Sequence, residues 1–249
     1  MRISSTVELG RRFYRAGRSR GWRAAMRDAG RHLHGQVRLI AALPARLLLQ
    51  RRLERLSPAG NSPAVSIVLS TWNRAAMLPG AIDSVLAQTR EDWELIIVDD
   101  GSEDETAGAL AAYGRDPRIR TIRQPHAGPG AARNAALARA QAPIIAYIDS
   151  DNEWMPDYLA TMLALFAERP AAQSAYCAIR REGAGSSLVH LTPFDAALLE
   201  ERNFIDLNVF CHRRELFTRL GGFDAALPRL NDWDLVRRYA REVKPYAVP

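Results

Sequence analysis

Val65-Ser66-Ile67-Val68-Leu69-Ser70 is followed at once by Thr71-Trp72-Asn73-Arg74, and Glu94-Leu95-Ile96-Ile97-Val98-Asp99 by Asp100-Gly101-Ser102. Each stretch is an almost uninterrupted apolar, β-branched run that ends abruptly in polar residues. A run of six such residues suits a strand buried on both faces, as in a parallel sheet. The segments between such runs have helical spacing. Leu78, Ile82, Val85 and Leu86 share one face of a helix expected over Met77–Gln88. Further helices are expected over Asp104–Tyr113 and Gly130–Gln141, and further strands over Ile119–Ile122 and Pro143–Asp149. Strands alternating with helices imply an α/β fold with a mostly parallel central sheet, flanking helices and right-handed crossovers.

Charge divides the chain. Residues 1–56 carry 14 Arg against Glu8, Asp28 and Glu54, a formal charge of +11, whereas the remainder is −5. Val37, Ile40, Ala41, Leu47 and Leu48 recur at spacings of three and four, so this segment reads as a basic amphipathic helical extension, kinked at Pro44. Such an arm suits either an anionic membrane surface or packing on the following domain. No nucleic-acid partner is expected, because 33 Arg against the single Lys244 make arginine enrichment a property of the whole chain. Residues 57–63, Ser-Pro-Ala-Gly-Asn-Ser-Pro, read as a linker, and 64–249 as one domain.

The chain offers no apolar run of the roughly 20 residues that a spanning helix needs, and no signal-peptide pattern. It is expected to be cytoplasmic, with a peripheral position at the inner face of the membrane as the alternative. Cys177 and Cys211 sit in apolar surroundings and read as buried free thiols.

In an open α/β sheet, ligands bind beyond the carboxyl ends of the strands. Three polar clusters fall there: Ser70 to Arg74, Asp99 to Ser102, and Asp149-Ser150-Asp151-Asn152. Each alone could be a turn. Carboxylates gathered at strand ends repel one another unless hydrogen-bond donors or a divalent cation converge on them, and oxygen ligands suit Mn²⁺ or Mg²⁺.

These motifs, in this order, resemble the family 2 glycosyltransferases, which have the GT-A fold. The resemblance runs from Val65 to about Tyr239. It rests on Val65–Arg74, on Ala81–Thr89 with Trp93–Ser102, on Ala127-Gly128-Pro129-Gly130-Ala131-Ala132-Arg133-Asn134, on Asp149-Ser150-Asp151, and on Gly221-Gly222-Phe223-Asp224 with Asn231-Asp232-Trp233-Asp234. It implies a metal-dependent, inverting transfer of sugar from a nucleotide-diphosphate sugar, a UDP-sugar by family precedent. The acceptor would be a hydroxyl of a saccharide, lipid-linked or glycoconjugate molecule. Carried over by the resemblance, Ser70, Trp72, Arg74, Asp100, Arg133 and Asp149 line the nucleotide site. Asp151 is the principal metal ligand with Asp149 beside it, and Asp232 is the base.

Two positions depart from the family pattern: Asn231 stands where an acid usually precedes the base, and Asn152 where a further acid often follows Asp-X-Asp. Asp234 is a substitute base, better read as a helix-start residue. His126, His190 and His212 have no ligand-like spacing and read as structural or loop residues, with a place lining the acceptor cleft as a secondary reading for His212. Arg241–Pro249 reads as the start of a final strand, with the family chain expected to continue beyond it. Two other functions compete. A nucleotidyltransferase would need a Gly-rich basic loop after the first strand. An inactive, scaffolding relative at a membrane is suggested by the basic arm and Asn231, and opposed by the retained Asp100, Asp151 and Asp232. A Rossmann dehydrogenase lacks its G-x-G-x-x-G here.

Overall fold

The computed structural model describes residues 62–183 and 186–248. The basic extension and all but the end of the linker lie outside the described residues.

The chain runs β1 (Val65–Thr71), α1 (Leu78–Leu86), β2 (Trp93–Asp99), α2 (Thr106–Ala111), β3 (Ile119–Arg123), α3 (Pro129–Leu137), β4 (Ile144–Tyr147) and α4 (Tyr158–Glu168). It continues with β5 (Ser174–Cys177), β6 (Ile179–Gly183), β7 (Ser186–His190), α5 (Ala196–Glu201), a 3₁₀ turn (Leu207–Val209), β8 (Phe210–Arg213), α6 (Arg214–Leu220), α7 (Asn231–Glu242) and β9 (Tyr246–Val248). The expected elements are present with shorter helices. The central sheet has seven strands in the order β3-β2-β1-β4-β8-β5-β9. β3, β2, β1 and β4 pair in parallel, and β8 is antiparallel to both neighbours. The final strand read from the sequence is real: β9 pairs in parallel with β5 at the sheet edge. β6 and β7 form a separate hairpin.

Alternate side chains of each central strand enter different cores, as the pleat requires. Val65, Ile67 and Leu69 of β1, Leu95 and Ile97 of β2, and Ile144 and Ala146 of β4 pack under α1 and α4. Val68, Ile96, Val98, Ile145 and Tyr147 pack under α3, α6 and α7. Because both faces are covered, the central strands are mostly apolar, with Ser66 and Glu94 bonded to each other where β1 and β2 begin, and they were legible as near-continuous runs. α3 presents Ala132 and Ala136 to the sheet, and those small side chains let the helix lie close over β1 and β2.

Candidate active site

The register sets the site. Thr71 lies opposite Asp99, and Val68 opposite Tyr147. The loops that leave β1, β2 and β4 therefore open along one edge of the sheet. Strand alternation carries Ser70 to the side of Val68, and two residues beyond Tyr147 it carries Asp149 to that same side, beneath α3 and α7.

The first two loops are tied together. Asn73 adopts a left-handed conformation with φ 51°. Its backbone N–H donates to Ser102 Oγ at 2.9 Å, and its Oδ1 accepts from the Glu103 N–H at 2.8 Å. The Arg74 N–H donates to Thr106 Oγ1, and the Ala75 N–H to Asp104 Oδ2. Trp72 is half exposed and stacks on the His126 ring, centroids 4.2 Å apart and planes inclined by 23°. One face of Trp72 is therefore already covered. Gly101, at φ 77°, is required here, since a Cβ would lie 2.8 Å from the His126 nitrogen.

Asp100 is buried, and its carboxylate is saturated from within the fold. Oδ1 accepts from Gln124 Nε2 at 2.7 Å and the Ala127 N–H at 3.0 Å. Oδ2 accepts from the Gly128 N–H at 2.8 Å and lies 2.9 Å from His126 Nδ1. Asp100 thus holds the loop leading into α3 where the sequence suggested only a ligand contact. His126, read from the sequence as a loop residue, connects Trp72 to Asp100.

Asp149 is similarly held. Arg133 Nη2 donates to its Oδ1 at 2.7 Å, and Asn208 Nδ2 donates to its Oδ2 at 2.9 Å. The Asp149 backbone N–H donates to Asn208 Oδ1 at 2.6 Å. Trp154, buried against Tyr158, donates from Nε1 to the Asn208 carbonyl. Asn208 and its neighbour Asp206 were missed in the sequence. They follow no motif, and reach the site only because β8 inserts beside β4.

Asp151 differs. Its side chain reaches solvent, and Asn152 Nδ2 lies 3.2 Å from its Oδ1. The crowded loops disfavour its charged form and raise its pKa above the ordinary range; Asp149 and Asp206 add to this, and Arg74 partly offsets it. A cation in this field would relieve the repulsion. Among the described residues no three Asp, Glu, His or Cys side chains converge to hold a metal. Of the two Asp-X-Asp carboxylates, Asp151 is the one open to solvent, whereas both oxygens of Asp149 are already bonded by Arg133 and Asn208.

Across from these loops lies the segment leading into α7. Asn134 of α3 pairs with the Phe223 peptide like an opposing strand. Its Oδ1 accepts from the Phe223 N–H, and its Nδ2 donates to the Phe223 carbonyl, both at 2.8 Å. A Cβ at Gly222 would meet Asn134 Oδ1 at 2.1 Å, which explains the second glycine of Gly221-Gly222-Phe223-Asp224. Asn231 opens α7, is buried, and accepts at Oδ1 from Arg133 Nη1 at 3.0 Å. Asp232 follows, partly exposed, with Asn203 Nδ2 at 3.1 Å from its Oδ2. Asp234 pairs with Arg238 one turn on, in keeping with a helix-start role.

His212 is structural, as its main reading had it, and the secondary reading that placed it in the acceptor cleft is corrected. It is fully buried, with Nδ1 on the Arg213 carbonyl at 2.8 Å and Nε2 on the Tyr147 hydroxyl at 2.7 Å. Burial lowers its pKa to about 4, so it is a neutral core residue and lines no cleft. Cys177 and Cys211 are free thiols, as expected, and burial pushes both up to about 12.

The family described as Glycosyl transferase family 2 matches residues 66–224, the span that holds every strand-end loop above. The chain belongs to glycosyl transferase family 2. Among curated relatives of the family, it is 33% identical to a protein of Escherichia coli (strain K12), WcaA, whose name assigns it to colanic acid biosynthesis as a glycosyl transferase. That match covers 76% of this chain and 69% of the relative. It is 39% identical to TuaG of Bacillus subtilis (strain 168), named for teichuronic acid biosynthesis, over 45% of each chain. The chain thus spans less than half of some curated relatives it matches. The family's GT-A fold is shared with solved structures. TarS 1–349 of S. aureus in complex with UDP-GlcNAc superposes with TM-score 0.63 at 17% identity, over 74% of this chain and 55% of that one. The mannosyltransferase PcManGT of Pyrobaculum calidifontis, in complex with GDP-Man and Mn²⁺, gives 0.61 at 21% identity, over 83% and 63%. Family membership sets aside the nucleotidyltransferase alternative.

Proposed function

We propose that this glycosyltransferase moves a sugar from a UDP-sugar to a hydroxyl of a saccharide, lipid-linked or glycoconjugate acceptor, with inversion and with a divalent cation, Mn²⁺ or Mg²⁺. The observation that carries this is the position of Arg133. One guanidinium bonds Asp149 of the Asp-X-Asp and Asn231, the residue before Asp232. The first aspartate of the Asp-X-Asp and the residue that precedes the base candidate therefore share one cation.

In this reading Trp72 offers its uncovered face to the base, Asp100 holds the loop that borders it, and Ser70 and Arg74 line the pocket. Arg133 and the amino end of α3 face the diphosphate, where positive charge and backbone N–H groups favour anions. Asp149 orients the ribose side and Asp151 ligates the cation. When bound, the cation supplies Lewis-acid stabilisation of the departing diphosphate. Asp232 takes the proton of the acceptor hydroxyl. The acceptor oxygen bonds the anomeric carbon from one side while the bond to the diphosphate breaks on the other, and the nucleoside diphosphate leaves. A single displacement of this kind inverts the centre.

The ligands of TarS and PcManGT support a nucleotide-sugar donor and, for PcManGT, Mn²⁺. The names of WcaA and TuaG support a role in making surface polysaccharide. No helix among the described residues is long and apolar enough to cross a membrane. Residues 1–56, by their charge, would hold the enzyme peripherally at the cytoplasmic face; equal binding to anionic vesicles with and without them would assign the arm to packing instead.

Titration calorimetry with UDP and with GDP, each with and without Mn²⁺, tests the donor assignment. The expected result is UDP binding that requires Mn²⁺ and is lost in Asp151→Ala. Tighter binding of GDP would overturn the choice of base, and equal binding without metal would overturn the cation.

A further inference from the structure

Nothing in the family pattern accounts for a neutral, buried residue at 231. Asn231 is 3% exposed, and the bond from its Oδ1 to Arg133 Nη1 joins two elements 98 residues apart in sequence. Its other polar atom, Nδ2, reaches the Leu227 carbonyl at 3.5 Å, a long contact. Arg133 is itself largely buried, at 12% side-chain exposure, and lies over the Phe223 ring. Its charge is shared between a carboxylate, Asp149, and a neutral amide oxygen, Asn231. The chain enters α7 through Leu230, which adopts φ 59°, a conformation costly for a large side chain. The first turn of α7 is held by Asn203 on Asp232 and by the Leu199 carbonyl on Trp233 Nε1, and the contact to Arg133 is the one that ties it to the donor side.

We propose that Asn231 is a positioning residue. Its carbonyl oxygen latches the first turn of α7, and so Asp232, to the Arg133–Asp149 pair, and thereby sets the base relative to the donor. The proposal rests on Asp232 as base. It requires an oxygen at 231, not a charge. With a neutral oxygen Arg133 keeps Asp149 as its sole carboxylate partner among the described contacts, while still gripping α7. A hydrogen bond to a charged group contributes enough for its loss to cost about tenfold or more in a step that depends on it.

The test is steady-state transfer with UDP-sugar and Mn²⁺, together with UDP affinity, on the full chain. Asn231→Ala should leave the UDP Kd within about twofold and lower kcat by about tenfold or more. Asn231→Asp, which restores an oxygen toward Arg133, should recover kcat to within about threefold. If the alanine variant fails to fold, Asn231→Leu fills the same volume without the oxygen and should show the same split. Wild-type kcat in Asn231→Ala or Asn231→Leu overturns the proposal, as does a loss of UDP affinity that matches the loss of kcat. An aspartate variant as slow as the alanine variant also overturns it. Asp232→Asn serves as the separate control. Normal transfer there removes the base assignment, whereas loss there combined with an unaffected Asn231→Ala removes only the latch.

Discussion

Asn208 and Asp149 exchange two hydrogen bonds: the side-chain amide donates to the carboxylate at 2.9 Å, and the Asp149 backbone N–H donates back to the amide oxygen at 2.6 Å. The first residue of the Asp-X-Asp is therefore fixed in both backbone and side chain before any donor arrives. Such preorganisation lowers the cost of ordering the loop on binding.

Asn208→Ala should release that loop. Each buried partner left unpaired costs about 1–3 kcal/mol, and part of this loss should appear in binding. Mn²⁺-dependent UDP affinity should fall by about tenfold while the fold persists. Calorimetry together with circular dichroism checks this, and unchanged affinity would mean that Asp149 needs no such support.

Gly222→Ala tests the packing behind the acceptor segment. Its Cβ would meet Asn134 Oδ1 at 2.1 Å, so the Asn134–Phe223 pairing must open. Overpacking of this kind costs roughly 1–3 kcal/mol, readable as a lowered urea midpoint. Asn134→Ala removes the clash at the expense of the pairing. Gly222→Ala in that background should cost less than it does alone, because the two changes share one contact.

Asp151 carries a raised pKa from crowding and from Asp149. For a carboxyl so shifted the folded state disfavours the charge. The cost is full above its folded pKa and disappears as pH falls below the ordinary carboxyl value. Asp151→Asn should therefore raise the melting temperature at neutral pH without metal, while abolishing Mn²⁺-dependent UDP binding. A lower melting temperature would show that the carboxylate is stabilised by partners instead.

His212 gives the opposite pH signature. Its pKa falls from the ordinary 6.5 to about 4 through burial. The unfolded chain thus takes up a proton that the folded chain refuses between those values. Stability is full above about 6.5 and declines as pH drops toward 4, by at most on the order of 3 kcal/mol. Denaturant unfolding across that range should show the decline, and His212→Leu should lack this share of it.

The β1, β2 and β4 runs and the loops after them could be read directly, because a strand buried on both faces must be apolar along its length and must then change character where it leaves the sheet. Arg133 and Asn134 could be located on a helix start, and Asp232 on another. Their partners could not be read, since Arg133 meets Asn231 across 98 residues and Asn134 meets Phe223 across 89. His212 illustrates the same limit. Its local neighbours suited a structural residue and also allowed a place in a cleft, and only the antiparallel insertion of β8 between β4 and β5 decides for burial against Tyr147. Periodicity is a local property, so the sequence by itself determined the α/β fold and the polar loops that leave its strands. Which side chains bond Asp149, Asp100 and Arg133 depends on where distant segments meet in the sheet, and only the tertiary structure decided that.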